Sequence, residues 1–373
     1  MPVLKKIESR TPKDVSLESV SNLYFPQSYF QNQDSSVIDH RTQLKRFPNQ
    51  YSAWQRGLVI GRSELDVCVF DERAPIDEDY MNYLTERGLG TQLVTSGDSQ
   101  KLDFKRFEFK PKNNLNAYLG NKFNFLEFCR KHGITVDDYS KYKKDELSSQ
   151  TLEGIIERFG DSIIIRHVEG SGGRGIYVYR RGENPLELFE KMNSDEDSTN
   201  YVVQRFYDDV TSPSIIGVSD VNGARILNNT EQLIENNAYE GTTLNLELDN
   251  PQLLQEGQKL ARALSQEGYD GAFGGDFIRT PDGRILPIEL NARVTAAYYP
   301  HEVLYRLNER GEDLTSISYV QYVPVSRNYS SFGEFKKSKD FARLTEKYGD
   351  DSLMLQPGLL SAQTPYISVI IPK

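Results

Sequence analysis

Ile163-Ile-Ile-Arg-His-Val-Glu-Gly-Ser-Gly-Gly-Arg-Gly-Ile-Tyr-Val-Tyr179 is the stretch on which the fold turns. Gly170, Gly172 and Gly175 satisfy the string G-x-G-x-x-G, which a dinucleotide site places between a strand and a helix. Here the residues after the glycines, Ile176-Tyr-Val-Tyr179, alternate as a strand does. The unit is therefore strand–loop–strand, and a dinucleotide fingerprint is excluded. A phosphate loop of the Gly-Lys-Ser/Thr kind is excluded too, because no such ending follows. Four glycines within residues 170–175 make the loop a flap whose backbone N–H groups can close on phosphate oxygens. Ser171 adds a hydroxyl and Arg174 a cation. The bland alternative is a mobile hairpin tip with no ligand. Protein kinases use such a flap, but the chain has no H-R-D or D-F-G string.

A second stretch reads as an acidic hairpin: Gly275-Asp-Phe-Ile-Arg-Thr-Pro-Asp-Gly-Arg-Ile-Leu-Pro-Ile-Glu-Leu-Asn-Ala-Arg293. A turn at Pro281–Arg284 would set Asp276 opposite Glu289. Glu289 and Asn291 are two apart and share a face. Three oxygen-bearing side chains then converge on one surface, as a hard cation such as Mg2+ requires. Flanking Phe277, Ile278, Leu286, Ile288 and Leu290 indicate a buried hairpin, and buried carboxylates need a cation partner. Arg293 lies just beyond, placed to meet charge on a phosphoryl group or a substrate carboxylate. The alternative is an ordinary exposed hairpin face.

Between and around these stretches the patterning alternates strand and helix. Leu65–Phe70, Ile76–Arg87 and Thr91–Val94 read as a βαβ layer. Lys122–His132 and Thr151–Phe159 have helical spacing, and Pro185–Met192 follows Asn184 as N-cap. Tyr201–Phe206, Ser214–Ser219 and Ala224–Leu227 read as strands, the last two joined by Asn222-Gly223. Helix Pro251–Glu267 leads into the acidic hairpin, and a helix near Lys339–Tyr348 precedes the apolar end Tyr366–Pro372.

A chain of 373 residues exceeds one ordinary core and implies two or three domains. Its net charge of −10, without a long Lys/Arg run, argues against nucleic acid as a partner. The basic stretch Lys141–Lys144 runs straight into Asp145 and Glu146 and reads as a solvated helix end. Cys68 and Cys129, the two cysteines, both lie in apolar patterns and read as buried free thiols, with no disulfide framework or zinc site. No secretory core and no apolar run of about 20 residues are present, so a cytoplasmic location and no membrane partner are expected.

Taken in order, these pieces resemble the ATP-grasp superfamily over Asn121–Arg293. The parts are Asn121-Lys122 opening a helix, Arg166 on a strand, the flap Gly170–Gly175, Tyr201-Val-Val-Gln-Arg-Phe206, Thr230-Glu-Gln-Leu-Ile-Glu235, Gly268-Tyr-Asp-Gly271 and the Asp276/Glu289/Asn291/Arg293 hairpin. The resemblance implies an α/β (α+β) chain with the ATP-grasp fold. Its parts would be a polar extension (1–20), an N-terminal pre-ATP-grasp βαβ domain (21–118), a central subdomain carrying the flap or lid (119–200), a C-terminal mixed-sheet subdomain with the metal hairpin (201–310) and a C-terminal extension (311–373). It implies ATP and two Mg2+ ions as cofactors. Lys122 and Arg166 would meet phosphates, with Arg166 standing where the family more often has lysine. Gly170, Ser171, Gly172, Gly173 and Gly175 would cover the phosphates. Backbone groups of Val203, Gln204, Arg205 and Phe206 would hold adenine; the family usually has Glu where this chain has Gln204. Asp208 or Asp209 would serve the ribose, and Gln232 and Glu235 would face the nucleotide or acyl substrate. Asp276, Glu289 and Asn291 would bind the metal, and Arg293 and Arg174 would act in catalysis. Glu231 and His301 read as structural.

The implied activity is an ATP-dependent ligase. It would activate a carboxylate, an amino acid or small peptide, as an acyl phosphate and join it to an amine, with ADP and phosphate as products. The Thr230–Gly241 stretch is similar to the subgroup that includes natural-product peptide and amino-acid ligases. Three alternatives stay open: an ATP-grasp kinase, a ligase charging a carrier-protein thiol, and a nucleotide-binding protein without turnover. Small-molecule carboxylates and amines are the expected partners; a carrier protein and a homodimer stay open.

Overall fold

The computed structural model describes residues 15–16, 66–70, 77–89, 92–95, 115–169, 175–193, 199–220, 223–235, 238–246, 250–293, 295–361 and 364–373. Along the chain run β1 (Val15–Ser16), β2 (Asp66–Phe70), α1 (Glu78–Glu86), β3 (Gln92–Thr95), α2 (Leu115–Gly120), α3 (Lys122–Lys131) and β4 (Tyr139–Lys143). Next come α4 (Ser149–Phe159), β5 (Ser162–His167), β6 (Ile176–Arg180), α5 (Pro185–Asn193), β7 (Asn200–Arg205), β8 (Pro213–Asp220), β9 (Gly223–Glu235) and β10 (Ala238–Asn245). The remainder is α6 (Pro251–Gln266), β11 (Gly271–Arg279), β12 (Ile285–Asn291), α7 (Tyr298–Glu309), β13 (Ser316–Pro324), α8 (Phe332–Lys336), α9 (Lys339–Tyr348), β14 (Leu353–Leu355) and β15 (Tyr366–Pro372). Two compact units emerge: Met1–Lys110 with Gly241–Leu248 and Val294–Lys373, and Pro111–Glu240 with Asp249–Arg293.

In the first unit β1, β2 and β3 pair in parallel, with α1 between the last two, as the βαβ pattern predicts. Asp77 caps α1 by accepting from Tyr80 N–H at 3.1 Å. Tyr80, Tyr83 and Leu84 on its buried face join a core with Phe332, Phe335 and Ile367. The Gly241–Asn245 part of β10 pairs with β13, then β15, then β14, all antiparallel. Asp340 on α9 is 5% exposed and accepts from Ser326 N–H, Ser326 Oγ and Tyr329 OH at 2.7 Å each. Burial alone would raise its pKa, but these donors outweigh burial and hold it at about 2. His301 is pushed down to about 4 by burial, so its ring is neutral at neutral pH.

The second unit holds two antiparallel sheets. One runs β4-β7-β5-β6. Helix α4, capped by Ser148, lays Leu152, Ile155, Ile156 and Phe159 over Ile163, Ile165, Tyr201 and Val203. The other pairs β12, β11, β8 and β9 in that order. Helix α6 lays Leu253, Leu260 and Leu264 on Ile215, Phe273 and Phe277. Leu260 presses on β11 so closely that a Cβ at Gly275 would stand 2.9 Å from Leu260 Cδ2. A side chain at 275 would crowd Leu260, Phe277 and Ile215 beside Asp276 and force that packing to shift.

Two expectations are corrected here. Lys141–Lys144 is a helix end only at its close: Lys143 caps and Lys144 opens a short 3-10 turn to Glu146, while Tyr139–Lys143 is strand β4, with Lys141 and Lys143 exposed on it. Lysines on an edge strand discourage pairing with other chains. The strand expected at Ala224–Leu227 runs on to Glu235. A bulge explains the shortfall: Ile216 pairs with Asn228 and Gly217 with Ile226, leaving Leu227 extra and breaking the alternation. Cys129 is a buried free thiol, as read; the Cys68 side chain lies outside the described residues. Among the described residues no helix is long and apolar enough to cross a membrane.

Candidate active site

The hairpin β11–β12 puts Asp276 directly opposite Glu289. The register arises differently from the expected turn. The connection runs Thr280–Arg284, one residue longer, because Arg279 pairs with Ile285. A bulge then takes up the extra residue: Phe277 pairs with Pro287 and Asp276 with Glu289, leaving Ile288 unpaired between them. The bulged carbonyl is used, since Ile288 O accepts from Arg166 Nη1 at 3.1 Å.

Arg166 on β5 is 5% exposed. Its Nη2 donates to Gln204 Oε1 on the neighbouring strand β7. Its Nε has no hydrogen-bond partner among the described residues. Burial pushes its pKa down to about 10, with Glu289 opposing the shift, so it is a cation at neutral pH. Gln204 is itself buried, and its neutral amide oxygen serves the guanidinium without cancelling its charge.

Lys122 opens α3 behind its N-cap Asn121, whose Oδ1 accepts from Phe123 N–H and Asn124 N–H at 3.1 and 3.2 Å. The Lys122 N–H donates to Val168 O at 2.7 Å, at the root of the glycine loop. Its ammonium stands 3.6 Å from Glu289 Oε2 and is 4% exposed. Burial lowers its pKa, Glu289 raises it and Arg166 lowers it further. At the same root His167 N–H donates to Gly175 O at 2.7 Å. Gly175 takes φ +68°, a left-handed conformation that glycine adopts without strain.

Asp276 sits at the centre. Gln232 Nε2 donates to its Oδ1 at 2.6 Å and Asn291 Nδ2 to its Oδ2 at 2.8 Å. Burial first, and Glu289 second, push its pKa up to about 7, against the pull of Arg293, Asn291 and Lys122. A carboxyl this reluctant to ionise beside a second carboxylate is a site where a small divalent cation would relieve both costs. The donor set fits one: two carboxylates and an amide oxygen are hard ligands, and Mg2+ commonly takes one or two carboxylates with phosphates and water. Among the described residues no group of three or more His, Cys, Asp or Glu side chains gathers to hold a metal, at this hairpin or elsewhere; here the protein offers two carboxylates and one amide.

The structure thus gathers Lys122, Arg166, Gln204, Gln232, Asp276, Glu289 and Asn291, with the charge of Arg293 acting on Asp276. The other expected residues are placed as follows, the backbone of Val203, Arg205 and Phe206 running on either side of Gln204. Val203 is fully buried in the core under α4. Arg205 sends Nε to Phe159 O at 2.7 Å, capping the C-terminal end of α4. Phe206 N–H donates to Ser162 O at 2.9 Å. Asp208 pairs with Arg180 at 3.0 Å. Glu235 is on β9, its side chain outside the described residues. Gly170, Ser171, Gly172, Gly173 and Arg174 also lie outside them. Sequence reasoning missed the Ile288 carbonyl; Pro287, which interrupts an otherwise apolar strand, was the available sign of a bulge. A cleft of about 500 Å³ lies along β6 and α5, lined by Tyr177, Arg180, Glu187 and Lys191. None of the site residues named above lines it, so volume alone does not mark the chemistry.

Residues 119–297 match the family model of the ATP-grasp domain, and the chain carries an ATP-grasp domain over that span. Its fold is similar to that of carboxyaminoimidazole ribonucleotide synthase from Aspergillus clavatus complexed with ATP: TM-score 0.55, 13% identity, 98% of this chain and 94% of that one. N5-carboxyaminoimidazole synthetase from Staphylococcus aureus complexed with ADP gives 0.55 at 13% identity, covering 86% and 91%. The biotin carboxylase domain of 2-oxoglutarate carboxylase from Hydrogenobacter thermophilus, in complex with MgADP, ADP and bicarbonate, gives 0.53 at 13%, covering 87% and 83%. At such identities the likeness concerns the fold, which is the mixed α/β ATP-grasp architecture expected from the sequence. No curated protein sequence matches the chain.

Proposed function

We propose that the chain is an ATP-dependent ligase that activates a carboxylate as an acyl phosphate and passes the acyl group to an amine. The observation that carries this reading is the Lys122–Glu289 pair, 3.6 Å apart, in which a lysine fixed to the root of the glycine loop meets the acidic hairpin. Phosphate-binding cations and metal-binding carboxylates in one cluster are what phosphoryl transfer needs, since catalysis there is positioning and charge neutralisation.

ATP would lie with its phosphates toward Lys122 and Arg166, under the loop formed by Gly170, Ser171, Gly172, Gly173 and Gly175. The orphaned Arg166 Nε is a buried donor that a phosphate oxygen would satisfy. Asp276, Glu289 and Asn291 would hold Mg2+, two ions in all with the phosphates as further ligands; when bound, Mg2+ neutralises the β- and γ-phosphates. The substrate carboxylate attacks the γ-phosphorus; the bond to ADP breaks as the new oxygen–phosphorus bond forms. The amine then attacks the acyl carbon and phosphate leaves. Arg293 and Arg174 would steady the charge on the transferring group. Closing of the glycine loop would exclude water from the acyl phosphate. No covalent enzyme intermediate is required. Residues 21–118 are assigned to the pre-ATP-grasp domain, and an amino acid or small peptide to the acyl donor.

The test is an ADP-release screen of the full chain with paired carboxylates and amines, followed by mass spectrometry. An amide product supports the reading. A stable phosphorylated product without amide would indicate a kinase, and a thioester on a carrier protein would move the acceptor from amine to thiol. Nucleotide binding with no ADP formed from any pair would sink the ligase.

A further inference from the structure

Gln232 reaches Asp276 across strands. In register, Glu289 on β12, Asp276 on β11, Ser214 on β8 and Thr230 on β9 form one row and share a face. Gln232 is two residues beyond Thr230, so it is on that face as well. It stands past Pro213, where β8 begins, and its N–H donates to Ser212 O at 3.0 Å. Ser212 Oγ donates to Gln232 Oε1 at 3.4 Å, which turns the amide so that its NH2 end meets Asp276. The Ser214 and Thr230 hydroxyls bond one another at 2.5 Å.

We propose that Gln232 is a positioning residue, whose amide joins that of Asn291 to hold the Asp276 carboxylate in one orientation toward a bound cation; this rests on the ligase reading above. Each Asp276 oxygen accepts one amide hydrogen, 2.6 Å from Gln232 and 2.8 Å from Asn291. A carboxylate oxygen has two lone-pair sites, so each keeps one for a metal. With both oxygens pinned, rotation about the carboxyl bond is stopped. The residue type follows from the charge. A glutamate at 232 would set a third carboxylate beside Asp276 and Glu289, while glutamine supplies the hydrogen bond without the repulsion. Gln232 therefore acts through Asp276 and need not touch the nucleotide.

The test uses the full chain and titrates Mn2+ by electron paramagnetic resonance, with ADP binding in EDTA measured in parallel. Gln232→Ala is expected to weaken Mn2+ binding about 10- to 100-fold, the usual effect of losing a group that orients a metal ligand, and to leave ADP binding in EDTA unchanged. Gln232→Met keeps the volume and removes the donor, and it is read alongside so that a folding defect in the alanine variant cannot pass for lost positioning. Unchanged Mn2+ binding in Gln232→Met overturns the proposal. Weakened ADP binding in EDTA overturns it too, by making Gln232 a direct nucleotide contact. A wild-type chain that binds neither Mn2+ nor ADP overturns the ligase reading itself, and this inference with it.

Discussion

The Lys122 ammonium stands 3.6 Å from a Glu289 carboxylate oxygen, while its main-chain N–H donates to Val168 O. One residue therefore joins the root of the glycine loop to the acidic hairpin. Lys122 is nearly inaccessible at 4% exposure, whereas Glu289 keeps 28% and can be reached by water or a cation. Replacing the lysine with an apolar residue of similar length should thus spare the fold and remove the charge. Lys122→Met is expected to lower the rate of ADP formation by about 100-fold, the scale of losing one preorganised donor to developing charge. Its melting curve should shift by only a few degrees. An unchanged rate would remove Lys122 from the machinery.

Arg166 presents a different balance. It is buried, and it holds both Gln204 Oε1 and the bulged carbonyl of Ile288. Arg166→Met would leave that carbonyl and the Gln204 amide oxygen without this donor. Urea denaturation should show a loss of roughly 1–3 kcal/mol, the cost of unsatisfied buried polar groups. Arg166→Lys should recover part of it, because an ammonium reaches one acceptor more readily than two. A variant as stable as the parent would mean that the bulge does not depend on Arg166.

Asp276 makes the metal-free protein sensitive to pH. Its folded value, about 7, lies above its ordinary value of 3.8. Between these values the folded state holds the extra proton, so stability falls as pH rises from about 4 to 7 and the penalty is complete above that. Asp276→Asn should flatten this slope in denaturation curves recorded across the window. Mn2+ competes with the same proton, so binding should strengthen as pH rises toward 7. A wild-type slope that the variant reproduces would contradict the assignment.

Asp340 has the opposite sign. Held at about 2 by Ser326 and Tyr329 against the effect of burial, it contributes stability above its ordinary carboxyl range and loses it as pH falls through about 2. Asp340→Asn is expected to cost roughly 1.5–3 kcal/mol at neutral pH, the range for hydrogen bonds to a charged group. The gap from wild type should narrow below pH of about 4. A gap independent of pH would show packing rather than charge at work.

How far the sequence carries is clearest in the hairpin. Its alternation and turn residues predict Asp276 opposite Glu289, and the pairing is found. Yet the turn is one residue longer than read and the bulge at Ile288 restores the register, so two local departures cancel. The bulged carbonyl meets a partner from another sheet, Arg166 on β5, a contact that no single strand records. Arg166 is legible as a cation on a strand; its bond to Gln204 is not, because it depends on which strands become neighbours. Lys141 and Lys143 mislead because charge on an edge strand looks like charge on a solvated helix; Lys144 does open a short 3-10 turn. Helix α7 and strand β13 went unread for a similar reason: Pro300 falls in the first turn of α7, and a bulge between Val320 and Val323 interrupts β13.

The central claim is that Asp276 and Glu289 bind the metal of a nucleotide complex. Isothermal titration with a non-hydrolysable ATP analogue, with and without Mg2+, tests it most directly in the wild-type chain and in Asp276→Ala with Glu289→Ala. Binding that strengthens with Mg2+ in the wild type and loses that dependence in the variant is the expected result. Mg2+-dependent binding of equal strength in both chains would contradict the account.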